Sequence, residues 1–215
     1  MAQRISNIYR LVTIPAIYSA VASALGGHSA RIKFVEEDLK VAPGMRILDV
    51  GCGPAAMFPY LPPTDYTGVD LNPPHIAAAQ KQYGDKGRFI AIDASSDLPG
   101  EADSYDLVFA LAILHHLDDQ PSKRLIANML RLVKPGGRVV TFDSVWLPRQ
   151  NPVAYLLNKL DSGLNIRTAE GYVGLAEGLD AQIETRIYRD RLRVPFDHFR
   201  MTLIKRPVNP NTVGV

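Results

Sequence analysis

Residues Ile47–Ala55 read Ile-Leu-Asp-Val-Gly-Cys-Gly-Pro-Ala, and Val69-Asp70-Leu71 follows after a short gap. No other feature of the chain limits its fold so strongly. Ile47, Leu48 and Val50 form the continuous apolar run of a strand covered on both faces, as in parallel sheets. Gly51 and Gly53 permit a sharp turn and let the backbone approach a ligand where a Cβ would collide. Asp70 falls about 20 residues on, where an acid at the tip of the second strand can accept hydrogen bonds from both hydroxyls of a ribose. The corner predicts a nucleoside site in an open α/β sheet.

Gly51-x-Gly53-x-x-Ala56 satisfies the loose glycine pattern of dinucleotide sites, but Pro54 has no N–H and removes a donor from the turn that would cradle a pyrophosphate. S-adenosylmethionine (SAM) carries no phosphate and loses nothing there. Arg88 to Asp93 reads as a third strand ending in an acid, placed to accept from the exocyclic amine of an adenine. A fourth apolar run, Tyr105 to Leu111, leads into Ala112-Ile-Leu-His-His-Leu117, and Leu132-Val-Lys-Pro-Gly-Gly137 turns into a fifth, Arg138 to Phe142.

From Ala42 to Phe142 the chain resembles the class I SAM-dependent methyltransferases, in the small-molecule branch with an "LHHL" segment after the fourth strand. The resemblance implies a doubly wound, mostly parallel, Rossmann-like sheet of seven strands with the last antiparallel. It implies a cofactor set of Asp49, Gly51, Cys52, Gly53, Asp70, Leu71, Asp93, Ala94, Ala110 and Leu111. Asp49 and Gly51 would hold the amino-acid end of SAM, Asp70 the ribose, and Asp93 with the Ala94 N–H the adenine. The backbone at Ala110 and Leu111 would close over the methionine part. The family often has glycine where Ala55 stands.

A chain of 215 residues with 47% hydrophobic content can bury one full core, and a formal net charge of +2 implies no general attraction to nucleic acid or anionic membrane. The single cysteine, Cys52, excludes an internal disulfide and a cysteine-based metal cluster, and its place in the glycine loop argues against a cysteine nucleophile. Asp118, Asp119 and Asp143 could bind Mg²⁺ but their spacing singles out no site, so no metal is expected. The first 33 residues contain bases and no acids, and Leu11 to Leu25 is mostly apolar but too short and too interrupted to span a bilayer. Ile5, Ile8, Tyr9 and Val12, then Ile17, Val21 and Leu25, recur at helical spacing on either side of Pro15, and Gly26-Gly27 reads as a helix stop. Residues 1–40 are therefore read as helical, packing on the sheet, forming a lid in which Tyr9 and Tyr18 close over the ligands, or anchoring on a lipid surface.

Pro73-Pro74 opens a helix to about Tyr83, and Asp118 or Asp119 starts another with Leu125, Met129, Leu132 and Val133 as its apolar stripe. Val153–Leu160 and Thr168–Leu179 read as helices of an insert, about 146–180, expected to form one wall of an acceptor pocket. Ile183 to Lys205 reads as two strands joined near Pro195-Phe-Asp197, with Arg189, Arg191 and Arg193 on the solvated side of an edge strand. Residues 207–215 lack periodicity and read as a flexible tail after a methyltransferase domain at 41–206.

Methyl transfer from SAM is an in-line displacement, so alignment carries much of the rate and a base is needed for a hydroxyl or a protonated amine. His115, at the carboxyl edge of the sheet, is the candidate base; its competing role is to shape the loop. Asp143 faces the same edge or caps the next helix, His198 reads as structural, and Arg167 as a surface residue or an acceptor's carboxylate partner. The resulting expectation is a cytoplasmic methyltransferase acting at O or N of a small acceptor, aromatic or lipid-like by the hint of Phe58, Tyr60 and Trp146. No nucleic-acid partner and no stable membrane insertion are expected. The alternatives are an NAD(P)-dependent oxidoreductase, for which no Tyr-x-x-x-Lys pair is present, and a non-catalytic nucleoside-binding protein of the same fold.

Overall fold

The structure, a computed structural model, describes residues 27–95, 98–161, 163–189 and 191–207. Its strands are β1 (Arg46–Val50), β2 (Asp65–Asp70), β3 (Arg88–Ala91), β4 (Tyr105–Leu111), β5 (Val133–Trp146), β6 (Arg167–Thr168), β7 (Ala181–Tyr188) and β8 (His198–Lys205). They join one sheet in the order β3-β2-β1-β4-β5-β8-β7, with the two-residue β6 beside β5. β1 to β5 pair in parallel, and β8 runs antiparallel to both β5 and β7. This is the doubly wound, mostly parallel sheet with an antiparallel last strand that the sequence pattern implies.

Alternation along each strand feeds two cores. Leu48, Val50, Val108, Ala110, Val139, Met201 and Leu203 face a layer that includes α3 (Asp119–Leu132), whose Leu125, Ile126 and Met129 are fully buried. Ile47, Leu107, Phe109 and Val140 face the opposite way, onto Phe34, Val35 and Leu39. Those three belong to a π-helical turn (Phe34–Leu39) that continues α1 (Gly27–Lys33). Helices on both faces explain why the parallel strands are apolar throughout rather than alternating. α2 (Pro73–Tyr83) packs Ile76 and Ala79 beside Tyr66 and Phe89, where Phe58 completes an aromatic cluster. After β5 come α4 (Pro152–Leu160) and α5 (Ala169–Gly174). Val133, read as the end of the α3 stripe, is instead the first residue of β5.

Gly27, read as a helix stop, lies within α1, and in the described part of the N-terminal region it is the π-helical turn, through Phe34, Val35 and Leu39, that packs on the sheet. The hinge at Pro15 and the lid tyrosines Tyr9 and Tyr18 lie outside the described residues, as does nearly all of the tail read over 207–215. Among the described residues no helix is long and apolar enough to cross a membrane.

One expectation is corrected at the β7–β8 connection. β7 ends at Tyr188, and the arginines that follow do not line a solvated strand face. Arg191 folds inward, and its Nη2 donates to Glu37 Oε2 at 2.9 Å and Asp38 Oδ2 at 2.8 Å. Its guanidinium lies over the Tyr188 ring, 4.1 Å from the centroid. The Asp38 side chain is wholly buried and also accepts from Arg200 Nη1 at 3.2 Å and from the Tyr188 hydroxyl. A carboxylate buried under the sheet needs cations, and satisfying it outweighs one further residue pair of β-ladder. Removing Asp38 leaves two arginines facing a low-dielectric interior, so Asp38→Ala is expected to lower stability by about 3–5 kcal/mol. Urea unfolding measures this, and a loss under about 1 kcal/mol, the size of a surface pair, would show that the cluster does not hold the N-terminal helix to the hairpin.

Candidate functional site

The strand order reverses at β1, which has β2 on one side and β4 on the other. Ligands of open α/β sheets bind outside the carboxyl ends of the strands at such a point, and the glycine turn is the backbone found there. Gly51 has φ 75° and Gly53 φ 55°, the left-handed region that glycine enters without strain. A Cβ on Gly51 would also lie 2.1 Å from Ile113 Cδ1. Ala55 adopts φ 60° although it carries a side chain, at a cost of roughly 1–2 kcal/mol; the position that calls for glycine therefore tolerates alanine under strain.

The turn is tied to the neighbouring strand. Gly51 and Cys52 N–H both donate to the Val69 carbonyl, at 2.7 and 2.9 Å. Gly53 N–H donates to Asp70 Oδ2 at 2.8 Å, and Asn72 N–H to Asp70 Oδ1 at 2.8 Å. The carboxylate is thus locked at the lip of the crevice with lone pairs to spare. Leu71, beside it, is 54% exposed, an apolar rim with nothing over it among the described residues. Ile92 N–H donates to the Asp70 carbonyl, which brings Asp93 and Ala94 to the same edge, and Asp93 Oδ1 accepts from the Ser95 N–H and hydroxyl. Ala110 is buried and Leu111 half-buried where β4 ends. All ten residues of the cofactor set lie at the ends of β1 to β4 or in the turns that follow them.

Asp49 is buried in β1, and its Oδ2 accepts from the Tyr66 hydroxyl at 2.7 Å. Burial raises its pKa from 3.8 to about 7, against the lowering by the Tyr66 hydrogen bond and with a further push from Asp70. Burial, then Asp49 and Asp70, hold the Cys52 thiol far above its ordinary value, so it stays protonated and is not a nucleophile. Between pH 4 and 7 the folded chain keeps a proton on Asp49 that the unfolded chain releases, so this group's contribution to stability falls as pH rises through that window and is level above it. A rise from 3.8 to about 7 is worth roughly 4 kcal/mol. Asp49→Asn is therefore expected to be more stable than the parent at pH 7 and to lose less stability between pH 5 and 7. Denaturation at several pH values checks this, and parallel curves for the two proteins would contradict the buried-carboxyl account.

His115 sits in a 3₁₀ turn (Leu114–His116) directly after β4. Its Nδ1 is 2.8 Å from Asp143 Oδ1, which also accepts the His115 N–H at 3.2 Å. Asp143 therefore orients the histidine and caps no helix. On the other side Nε2 lies 3.5 Å from Asp161 Oδ1. Burial favours the neutral ring, but the hydrogen bond and charge of Asp143, with Asp161, prevail and raise its pKa above the usual histidine value. His116, 4.2 Å away ring to ring, is pushed down by burial and by His115. His198 is half-buried and stacked on Phe142, and loss of solvation lowers its pKa to about 4.

The ring is only 3% exposed, because the segment after α4 roofs it. A Cβ on Gly163 would fall 2.1 Å from His115 Cδ2, and Asn165 N–H donates to the His115 carbonyl at 3.0 Å. Arg167 fastens this roof: its guanidinium donates to the carbonyls of Leu114, Leu117 and Asn165 and to Asp119. It is fully used within the chain, neither a surface residue nor open to an acceptor carboxylate. Asp118 bonds Asn165, so the aspartates 118, 119 and 143 are not gathered into one group. His115, His116 and Asp161 do offer one ligand atom each within 4.8 Å of one another. Tyr66 and Asp161 were not among the sequence candidates; the Asp-x-Gly turn at 161–163 was the one available signal. Of the hinted aromatics, Phe58 lies in the α2 cluster, Tyr60 meets His28 edge to face, and Trp146 lies at a tilt against Tyr155. A separate open cavity of ≈ 550 Å³ between α5 and β7 shares no residue with this crevice.

Comparison with known proteins agrees with this geometry. The family model described as "Methyltransferase domain" matches residues 47–137. The tRNA (carboxymethyluridine(34)-5-O)-methyltransferase of Arabidopsis thaliana is 33% identical over 132 residues, 61% of this chain and 31% of that protein. The phthiotriol/phenolphthiotriol dimycocerosates methyltransferase of Mycobacterium leprae is 36% identical over 105 residues, 46% of this chain and 38% of that protein. The chain thus spans 31% of one relative and 38% of the other. Among solved structures, geranyl diphosphate C-methyltransferase from Streptomyces coelicolor A3(2), in complex with Mg²⁺, geranyl diphosphate and S-adenosyl-L-homocysteine, superposes with a TM-score of 0.65 at 16% identity. That match covers 83% of this chain and 80% of the other, and at such identity it speaks for the fold.

Proposed function

We infer that the chain, a class I SAM-dependent methyltransferase by its domain and its fold, moves a methyl group from SAM to an oxygen or nitrogen of a small organic acceptor. The observation that carries this reading is the crevice at the switch point: a left-handed glycine turn, the Asp70 carboxylate locked beside it, and the exposed Leu71 between them and solvent. These residues fit the cofactor. Asp70 would take the ribose hydroxyls, Leu71 one face of the adenine, Asp93 and the Ala94 N–H its edge, and the backbone at Ala110 and Leu111 the methionine chain. Asp49 would meet the ammonium, a cation that lets this buried carboxyl ionise. SAM itself supplies the activated methyl and the thioether leaving group, so the protein's main task is alignment.

His115 is the proposed base. Asp143 accepts the Nδ1 proton, which leaves Nε2 as the nitrogen that can take a proton from an acceptor hydroxyl. Asp161 occupies that side in the free protein, so the acceptor must displace it, with Gly163 and Asn165 that roof the ring. The insert at about 146–180 would then form the acceptor wall. An acceptor such as the phthiotriol dimycocerosates named for one relative would suit this setting. The similarity to a tRNA methyltransferase supports a second reading in which the acceptor is an RNA base; label from SAM recovered in total tRNA rather than in an organic extract would select it.

Asp70→Ala is expected to weaken SAM binding by about 1.5–3 kcal/mol, the loss of two hydrogen bonds to a charged group, measured by calorimetry. Unchanged affinity would place the ribose elsewhere. His115→Ala is expected to slow S-adenosylhomocysteine release by about 10²–10⁴ with SAM affinity kept. Turnover needs neutral His115, so the rate should rise with pH through its pKa, and Asp143→Asn should move that limb to lower pH. Normal turnover in His115→Ala, or a pH limb that ignores Asp143, would remove His115 from the base role.

A further inference from the structure

α4 is apolar on the side that faces away from the protein. Ala154 and Asn158 turn inward, and the Asn158 amide donates to the Val145 carbonyl at 2.8 Å. Outward stand Val153, Tyr155, Leu156 and Leu160, exposed by 47 to 56%, and Leu164 just beyond the helix at 57%. A surface helix normally shows charge on that side, and one that is apolar all round is covered by something. Lys159 is the one charge on the outer face; its Nζ lies 5.7 Å from the ring centroids of both Trp146 and Tyr155. Between Ser144 and Leu164 the one acid is Asp161, whose carboxylate is turned toward His115, while Arg149 and Lys159 are both exposed.

We propose that the outer face of α4 docks on an anionic lipid bilayer, with Leu156, Leu160 and Leu164 in the acyl boundary and Lys159 and Arg149 at the headgroups. Aromatic rings with a cation beside a leucine face match the interfacial zone, where apolar bodies bury and charged tips stay wet. Charge separates this occupant from the other two available. A second copy on a two-fold axis would set two exposed cations against an identical pair, and Asp161, the one acid of this stretch, is already engaged by His115. The N-terminal residues have the same defect, since residues 1–33 contain Arg4, Arg10, Arg31 and Lys33 and no acid. An anionic surface supplies what both lack. α4 follows β5, whose Asp143 holds His115, so a docked bilayer would meet the sheet edge that carries the site. The proposal does not depend on methyl transfer, because its readout is binding alone.

The test is co-sedimentation of the full chain with vesicles of phosphatidylcholine alone and of phosphatidylcholine with phosphatidylglycerol. Partition to the anionic vesicles is expected, with at least a tenfold loss, roughly, in the Leu156→Asp, Leu160→Asp double variant. Lys159→Glu, a surface change that leaves folding untouched, is expected to lose about fivefold on anionic vesicles only. An unchanged urea-unfolding midpoint certifies that the double variant is folded. No partition by the full chain, or equal partition by the double variant, overturns the proposal. So does partition seen only after residues 1–26 are removed, which would make that segment the occupant, or a solution dimer that the double variant dissociates.

Discussion

The hydrogen bond from the Gly53 N–H to the Asp70 carboxylate joins the turn after β1 to the tip of β2, and the site proposed for the cofactor depends on those two points being held together. The same carboxylate receives the Asn72 N–H, so its direction is set before any ligand arrives. The bond requires a left-handed residue at Gly53 and a second one at Gly51, where a methyl group would strike Ile113. Strain accepted at Ala55 belongs to the same bend. The crevice is pre-formed, and a ligand with two vicinal hydroxyls would find its acceptors aimed.

Two buried carboxyls divide the chemistry around this frame. Asp49 is deprived of water and answered only by the Tyr66 hydroxyl, so it holds its proton into the neutral range. Asp143 has the opposite setting: it faces His115 directly and keeps that ring more basic than burial alone would allow. One group therefore waits for a cation, and the other already has a partner whose proton can be traded. The Arg167 strut and the Gly163 contact keep water from the histidine, which is 3% exposed.

Much of this was legible in the sequence, for identifiable reasons. The runs at 47–50 and 105–111 are too apolar for strands with a solvated face, and they became the central strands. Pro73-Pro74 set the start of α2, and glycine marked the left-handed turn. What escaped was whatever depended on contacts between distant segments. The alternation of Arg189, Arg191 and Arg193 imitates an edge strand, and nothing local reveals that Asp38, far back in the chain, draws Arg191 inward. Asp161 and Tyr66 were hidden for the same reason: each acquires meaning only beside a partner that the fold delivers. Arg167 looked like a surface cation because its carbonyl partners belong to a turn whose shape sequence does not encode.

The central claim is that the adenosyl and amino-acid parts of SAM lie across the ends of β1 to β3 with the ammonium on Asp49. Calorimetry of S-adenosylhomocysteine binding near pH 6, repeated in buffers of different ionisation enthalpy, tests it most directly. A buried carboxyl that ionises on meeting a cation must release a proton, so the apparent heat should vary with the buffer, and that dependence should vanish in Asp49→Asn. Binding heat independent of buffer in the parent protein, or the absence of binding alongside tight binding of NADH, would contradict the account.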